Sequence, residues 1–115
     1  MKTINETPSI SARDRGLLEQ MKTVVRGFLP EATVILYGSV ARGTRRPDSD
    51  YDILVLSEKR LKCAEEDVVR DALCDIQLEE EVLISTIFHS RADWDSPLYN
   101  AMPFHQEVEK DSVLL

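Results

Sequence analysis

The segment that decides the fold is Gly38-Ser39-Val40-Ala41-Arg42-Gly43-Thr44-Arg45-Arg46-Pro47-Asp48-Ser49-Asp50-Tyr51-Asp52, which joins two apolar runs. Those runs, residues 33–37 and 51–56, are rich in β-branched and apolar side chains, which is typical of buried strands. Residues 38–49 contain two glycines, one proline and three arginines, a composition that favours a loop. The sequence therefore predicts two strands joined by a polar loop.

Two aspartates mark the beginning of the second strand. Asp50 and Asp52 are two residues apart, so their side chains should project from the same face of the strand, with Cα atoms roughly 6.5–7 Å apart. Carboxylates held this close repel each other unless one pKa rises or a cation binds. Hard oxygen ligands suit Mg²⁺, with Mn²⁺ as the alternative, and Mg²⁺ usually adds oxygens from a substrate phosphate. Asp50 and Asp52 are therefore the predicted metal ligands, and a pair of ions would stabilise both the attacking and the leaving oxygen of a phosphoryl displacement.

The beginning of the loop has the features of a phosphate-binding turn. Gly38 follows directly on the first strand, where a missing side chain lets another group approach the backbone closely. Ser39 offers a hydroxyl and a backbone N–H. If residues 40–42 turn into a helix, their amides form an anion site, and Gly43 would let that helical turn end. A phosphate-binding turn beside an acidic metal site is the arrangement that a nucleoside triphosphate requires.

The same residues carry a family resemblance. Gly-Ser, ten intervening residues and Asp-x-Asp resemble the sequence pattern of the DNA polymerase β-type nucleotidyltransferase superfamily. The version in residues 37–55 is especially similar to the minimal (MNT-like) nucleotidyltransferases, which often occur as partners of HEPN-type toxins. The resemblance implies that Gly38 and Ser39 contact the triphosphate, that Arg42 lies near the phosphates, and that Asp50 and Asp52 hold catalytic metals.

The resemblance also implies a third carboxylate on the next core strand, where this sequence departs from the pattern. The predicted strand, residues 82–88, contains no aspartate. Glu81, at its leading edge, is the nearest match and the third candidate catalytic residue. Ser85 lies on the same face and is the alternative occupant of that position. The departure puts full catalytic competence in question.

Residues 38–52 are also compatible with a simpler interpretation. A turn rich in Asp and Ser before a strand is common and needs no ligand. The segment is not a Walker loop, because no Gly-Lys-Ser/Thr follows, and its glycine spacing differs from the dinucleotide fingerprint. Arg45 and Arg46 fit solvated loop positions, although charge assistance to a phosphate stays open.

The rest of the chain predicts helices around a small sheet. Ser11 should cap a helix that ends just before Pro30, residues 61–78 return to helical periodicity, and residues 82–88 form the third strand. Ser90 should cap a short turn, and a last helix should begin near Pro97 and be interrupted at Pro103. We therefore predict an α/β (α+β) nucleotidyltransferase fold, a small mixed sheet with helices packed on it, forming a single domain over residues 1–115.

The aromatic, histidine and cysteine side chains outside residues 38–52 are predicted to pack in the structure and not to take part in catalysis. Trp94, with Tyr99 and Phe104, should anchor the C-terminal helix on the sheet, and His89 and His105 fit surface or helix-packing positions better than catalytic ones. Cys63 and Cys74 lack zinc-site spacing and are expected to be reduced thiols partly in the core.

Composition limits the partners. A net charge of −7 disfavours nonspecific adhesion to nucleic acid or to an anionic membrane. No apolar stretch is long enough for a membrane helix and the first residues lack the apolar run of a signal peptide, so a cytoplasmic location is expected.

The predicted reaction is Mg²⁺-dependent transfer of a nucleoside monophosphate from a nucleoside triphosphate, ATP by preference, to an acceptor hydroxyl. Because 115 residues leave no space for a second domain that grips the acceptor, a HEPN-type protein partner or a homodimer should supply it. The alternative is a non-catalytic, antitoxin-like binding partner of a HEPN-type protein.

Overall fold

The computed structural model describes residues 1–44 and 50–115. Within these ranges, strands and helices alternate in the order that the sequence predicts, with one short strand added near each end. The elements are β1 (Lys2–Thr3), a one-turn 3-10 helix (Ile4–Glu6), α1 (Ala12–Phe28), β2 (Thr33–Tyr37), α2 (Gly38–Arg42), β3 (Tyr51–Ser57), α3 (Cys63–Glu80), β4 (Ile84–Ser90), α4 (Arg91–Trp94), α5 (Pro97–Asn100), α6 (Pro103–Asp111) and β5 (Val113–Leu114). No helix in the described ranges has the length and apolarity needed to cross a membrane.

The five strands form one mixed sheet in the order β1-β5-β2-β3-β4. β2 and β3 are antiparallel, and their register sets Tyr37 opposite Asp52. β3 and β4 are parallel, and their register sets Asp52 beside Ser85. The predicted small mixed sheet with packed helices is therefore confirmed.

Successive side chains along each strand point to opposite faces of the sheet, and the apolar ones form two clusters, one on each face. On the first face, Leu36, Ile53 and Val55 belong to the cluster that contains the buried stripes of α1 and α3. On the second face, Ile35 and Leu54 pack with Trp94 and Val108 from the C-terminal helices. Because side chains alternate along a strand, Asp52 shares the second face with Leu54.

The helix boundaries follow the capping residues. The Ser11 side chain accepts a hydrogen bond from the Asp14 backbone N–H, and α1 ends at Phe28, before Pro30, as predicted. Ser90 caps α4 in the same way through the Asp93 backbone N–H. The last helix is indeed interrupted, because α5 begins at Pro97 and α6 at Pro103.

The third strand begins two residues later than the sequence predicts. Glu81 ends α3 in a left-handed conformation, with φ 55°. The Val82 N–H then bonds to the Gln77 carbonyl, and the Gln77 side-chain oxygen accepts from the Ile84 N–H. These contacts hold residues 81–83 in a turn, so that pairing with β3 starts at Ile84.

Two expectations about packing have different outcomes. The expectation that Trp94 anchors the C-terminal helices is confirmed, since its ring is buried and meets the Phe104 ring edge-on at a centroid distance of 6.0 Å. The expectation that the cysteines lie partly in the core is wrong. Cys63 and Cys74 are free and exposed, because the buried stripe of α3 uses other positions, among them Leu73.

Candidate active site

Gly38 and Asp52 come into direct contact where β2 ends and β3 begins. Gly38 follows Tyr37, which pairs with Asp52 across the two strands. The Gly38 backbone has φ 79°, and a Cβ atom at this position would overlap the Asp52 carboxylate. Glycine is therefore required twice, by its left-handed backbone and by the close approach of an acidic side chain. The predicted neighbourhood of the glycine turn and the acidic pair is present.

Residues 38–42 form the short helix α2, so the conditional prediction of a helical turn after Gly38 holds. The turn is anchored by Val40 and Ala41, which are buried. Gly43 ends it with φ 73°, and the Thr44 N–H bonds back to the Ser39 carbonyl at 3.0 Å. This hydrogen bond and the buried side chains fix the position of Ser39, the residue that follows Gly38, close to Asp52.

Asp50 and Asp52 influence each other electrostatically. Partial burial raises the pKa of Asp52, the negative charge of Asp50 raises it further, and the positive charge of Arg42 opposes both effects. The charge of Arg42 does not fully offset that of Asp50, so the two carboxylates repel each other. Such a pair gains stability when a cation is added.

Tyr37 is a site residue that the sequence reasoning missed. Burial, reinforced by the charge of Asp52, raises the pKa of its hydroxyl to about 12. Its ring meets the Phe104 ring edge-on at a centroid distance of 5.3 Å. Tyr37 therefore stays neutral at physiological pH and forms a wall between Asp52 and α6. The signal in the sequence was its position, the last strand residue before Gly38.

The structure separates the two candidates for the third acidic position. Ser85 is in register with Asp52 on the neighbouring parallel strand. Glu81 is exposed at the C-terminal end of α3, three residues before β4 begins. Among residues 1–44 and 50–115, no three His, Cys, Asp or Glu side chains are grouped closely enough to hold a metal ion. The site as described thus offers a pair of carboxylates, with a hydroxyl-bearing residue on the adjacent strand.

A buried hydrogen bond fixes the residue between the two aspartates. The Tyr51 hydroxyl donates to Asp14 Oδ1 at 2.5 Å on the first face of the sheet. Both side chains are buried. Because Tyr51 points into the α1 side, Asp50 and Asp52 are directed to the opposite face. No sequence pattern indicates this contact, which joins residues 37 positions apart.

The remaining predicted residues have separate outcomes. Arg45 and Arg46 lie outside the described residues. His89 and His105 are packing residues, as expected: the His105 ring stacks on Trp94 at 4.2 Å, and the His89 ring stacks on it at 5.8 Å. Burial lowers the pKa of His89, which favours its neutral form.

Comparisons with known proteins give a family match and a shared fold. A family model described as a nucleotidyltransferase domain matches residues 18–110. A toxin–antitoxin crystallised with AMP-PNP is similar in structure, with a TM-score of 0.60 and 18% sequence identity over 84% of this chain and 69% of that chain. A tyrosine-to-alanine mutant of the toxin–antitoxin MntA–HpeT gives a TM-score of 0.59 and 19% identity over 85% and 70% of the two chains. No curated protein sequence matches significantly. At these identities, the structural likeness establishes a shared fold.

Proposed function

Because this chain belongs to the nucleotidyltransferase domain family, we propose that it transfers a nucleoside monophosphate from a nucleoside triphosphate to an acceptor hydroxyl. The observation that carries this proposal is the contact between Gly38 and the Asp52 carboxylate. This contact sets a turn that can bind a polyphosphate directly beside a pair of carboxylates that can bind cations. The acceptor oxygen attacks the α-phosphorus, the bond from that phosphorus to the bridging oxygen breaks, and pyrophosphate leaves.

The residues present fit a divalent metal. Asp50 and Asp52 are hard oxygen donors that repel each other, and the pKa of Asp52 is raised partly by that repulsion. Mg²⁺, or Mn²⁺ in its place, accepts one or two protein carboxylates together with substrate phosphate oxygens. When bound, the metal would neutralise negative charge on the phosphate oxygens.

The chain's own residues would bind and orient the nucleotide. Gly38 leaves the backbone open beside Asp52, and Ser39 adds an amide and a hydroxyl to the same turn. The Arg42 guanidinium is close enough to Asp52 to lower its pKa, and it would donate to phosphate oxygens. Catalysis of this kind depends on positioning and charge neutralisation more than on covalent chemistry.

ATP and a protein acceptor are the substrates we propose. One structural neighbour was crystallised with AMP-PNP, an ATP analogue, and both neighbours are toxin–antitoxin proteins. We therefore propose a HEPN-type protein whose side-chain hydroxyl receives the nucleotide, or else a second copy of this chain. The net charge of −7 makes a nucleic-acid acceptor the less favourable choice.

The second candidate function is a non-catalytic, antitoxin-like partner of a HEPN-type protein. The register supports this candidate, because Ser85, which has no carboxylate, pairs with Asp52 on the adjacent strand, and the resemblance implies a third carboxylate on that strand. Glu81, the candidate from the sequence, is at the exposed end of α3. A site of this composition would bind a metal–nucleotide complex and turn over slowly or not at all.

The test uses ATP labelled at the α-phosphate, Mg²⁺ and a candidate partner protein. Nucleotidyl transfer attaches the label to the partner, whereas ATP labelled at the γ-phosphate leaves it unlabelled. Asp52→Asn should abolish labelling, and Glu79→Gln, an exposed charge change on α3, should preserve it. Nucleotide and partner binding without any transfer would refute the enzyme and support the second candidate.

A further inference from the structure

A second polar cleft lies at the far end of α2 from Gly38. Its volume is about 540 Å³. Three segments that are distant in the sequence form it: the N-terminal segment, the end of α2, and the junction between α6 and β5. Its wall includes Lys2, Thr7, Ser9, Arg42, Thr44 and Lys110, with Asp111 and Ser112 completing it on the α6 side.

The charge of this cleft is opposite to that of the whole chain. Lys2, Arg42 and Lys110 are exposed at its wall, and Asp111 is the acidic side chain among the described residues that line it. None of the three cations forms an ion pair with a residue of 1–44 or 50–115. Three cations at one cleft, without an ion-pair partner among the described residues, favour an anionic ligand even in a chain of net charge −7.

Hydroxyl groups at the wall are the second feature that indicates a ligand in this cleft. Ser112 is only 3% exposed, and its Oγ atom has no hydrogen-bond partner among the described residues. A buried hydroxyl without a partner is costly, and such groups usually mark a role or an absent partner. Ser9 and Thr44 add further hydroxyl groups, and the end of α2 lies beside Ser9, because a Cβ built on Gly43 would be 3.7 Å from Ser9 Oγ, an ordinary contact distance.

We propose that this cleft binds a phosphate group, held by Lys2 and Lys110 with hydrogen bonds from the hydroxyl groups of the wall. Phosphate accepts several charge-assisted hydrogen bonds at once. It would also give the Ser112 hydroxyl an acceptor. The cleft lies at the opposite end of α2 from the Gly38 turn, about 7.5 Å away along the helix axis. Arg42 borders the cleft and also acts on Asp52, which makes the two sites neighbours.

The phosphate group has two sources to distinguish: an acceptor molecule that carries a phosphate, or the pyrophosphate that the proposed reaction releases, with inorganic phosphate as the minimal probe. Binding is therefore measured separately with ribose 5-phosphate, inorganic phosphate and pyrophosphate. Each is added without nucleotide and without divalent metal, at constant ionic strength set with chloride. Because neither ATP nor Mg²⁺ is present, the result is independent of whether the protein transfers nucleotides.

We expect at least one of these compounds to shift the backbone amide resonances of Thr7, Thr44 and Ser112 in a saturable way in ¹⁵N–¹H spectra. Lys2→Gln/Lys110→Gln should weaken that binding about tenfold or more, which is the loss expected for removed charge-assisted bonds. Lys22→Gln/Lys59→Gln removes the same charge elsewhere on the surface and should change binding less than about twofold. The compound that binds most tightly identifies the source.

Ser112→Ala separates a ligand contact from a structural role. Removing a buried hydroxyl that lacks a partner should leave the melting temperature of the free protein unchanged or higher. The increase in melting temperature caused by the bound phosphate compound should become smaller. Absence of saturable binding by all three compounds, or equal binding by the two double-lysine variants, would overturn the proposal.

Discussion

At the scale of single residues, Gly38 is constrained both by its backbone and by its neighbour. Its φ of 79° disfavours any other residue, and the Asp52 carboxylate occupies the space of a Cβ atom. We expect Gly38→Ala to lower the free energy of unfolding by about 1–3 kcal/mol and to reduce nucleotidyl transfer by about tenfold or more, because Asp52 must move. Denaturant titration and labelled-ATP assays measure the two effects.

Gly27→Ala is the matched control. A Cβ at Gly27 meets nothing within 4 Å, and this glycine lies inside α1. Alanine should therefore raise the free energy of unfolding by about 0.5–1 kcal/mol through helix propensity and leave transfer unchanged. A Gly38→Ala variant with wild-type activity would show that Asp52 needs no contact with this turn.

Asp52 makes stability depend on pH in an unusual direction. Burial and the charge of Asp50 raise its pKa in the folded state above 3.8, so the folded protein binds a proton more readily than the unfolded chain. Stability is therefore lost as pH rises through the folded-state pKa. In metal-free buffer, Asp52→Asn should raise the melting temperature at neutral pH, and the gain should shrink as pH falls through the folded-state pKa towards 3.8, below which it should be absent.

Differential scanning calorimetry between acidic and neutral pH, with Asp75→Asn as an exposed control on α3, tests this prediction. The same series with Mg²⁺ should stabilise wild type and leave the Asp52→Asn protein nearly unchanged, because ligand binding to the folded state adds stability. A melting temperature that falls in Asp52→Asn at neutral pH would contradict the proposed repulsion.

At the scale of elements, the parallel register of β3 and β4 sets Ser85 beside Asp52. We expect Ser85→Asp to strengthen Mg²⁺ binding about tenfold and to raise the transfer rate, since a third oxygen donor would join the pair. Without metal, the same variant should be less stable than wild type, because a third negative charge is added. Calorimetric Mg²⁺ titration and steady-state kinetics measure these effects.

Two comparison variants complete the Ser85 experiment. Leu78→Asp adds the same charge at a position on α3 that is 79% exposed, and Mg²⁺ affinity should not change. Glu81→Gln tests the candidate that the sequence favoured, and its exposed position predicts little effect on transfer. A large loss in Glu81→Gln, with no gain in Ser85→Asp, would assign the third position to Glu81.

Sequence patterns predicted the long elements and missed those made by distant contacts. The α1 stripe, the β2 run and Ser90 carry local signals, and the structure reproduces their positions. β1 and β5 contain two residues each, too few for any periodicity. Their pairing depends on the packing of the whole sheet, and so does the phosphate cleft that we propose beside them.

In the candidate site, too, the local features were predicted from the sequence and those that depend on distant contacts were not. The adjacent strands around the loop and the spacing of Gly38, Asp50 and Asp52 were available in the sequence, because this part of the site is local. The sequence named Ser85 as one of two candidates for the third position, and only the strand register sets it beside Asp52. The pairing of Tyr37 with Asp52 likewise became visible only through register. β3 and β4 are separated in the sequence by the long helix α3, so their register depends on tertiary packing. The left-handed turn at Glu81, which ends α3, lies just before the start of that pairing at Ile84.

At the scale of the whole molecule, the sheet separates a packing face from the face that carries the acidic pair. Leu73 is buried in the cluster that α1 and α3 form on the first face, whereas Trp94 is buried on the Asp52 face. Each truncation to alanine should lower the free energy of unfolding by about 2–5 kcal/mol, because a cavity replaces a packed side chain.

The two variants should differ in catalysis, although they are similar in stability. Well below its melting temperature, Leu73→Ala should keep the wild-type kcat and KM, since effects at distant sites are largely independent. Trp94→Ala removes the ring on which Phe104 packs, and Phe104 in turn supports Tyr37 beside Asp52. Its kcat should fall even where the protein remains folded by circular dichroism. Equal kcat losses in both variants would mean that the sheet transmits core damage to the acidic pair and that the two faces are not functionally separate.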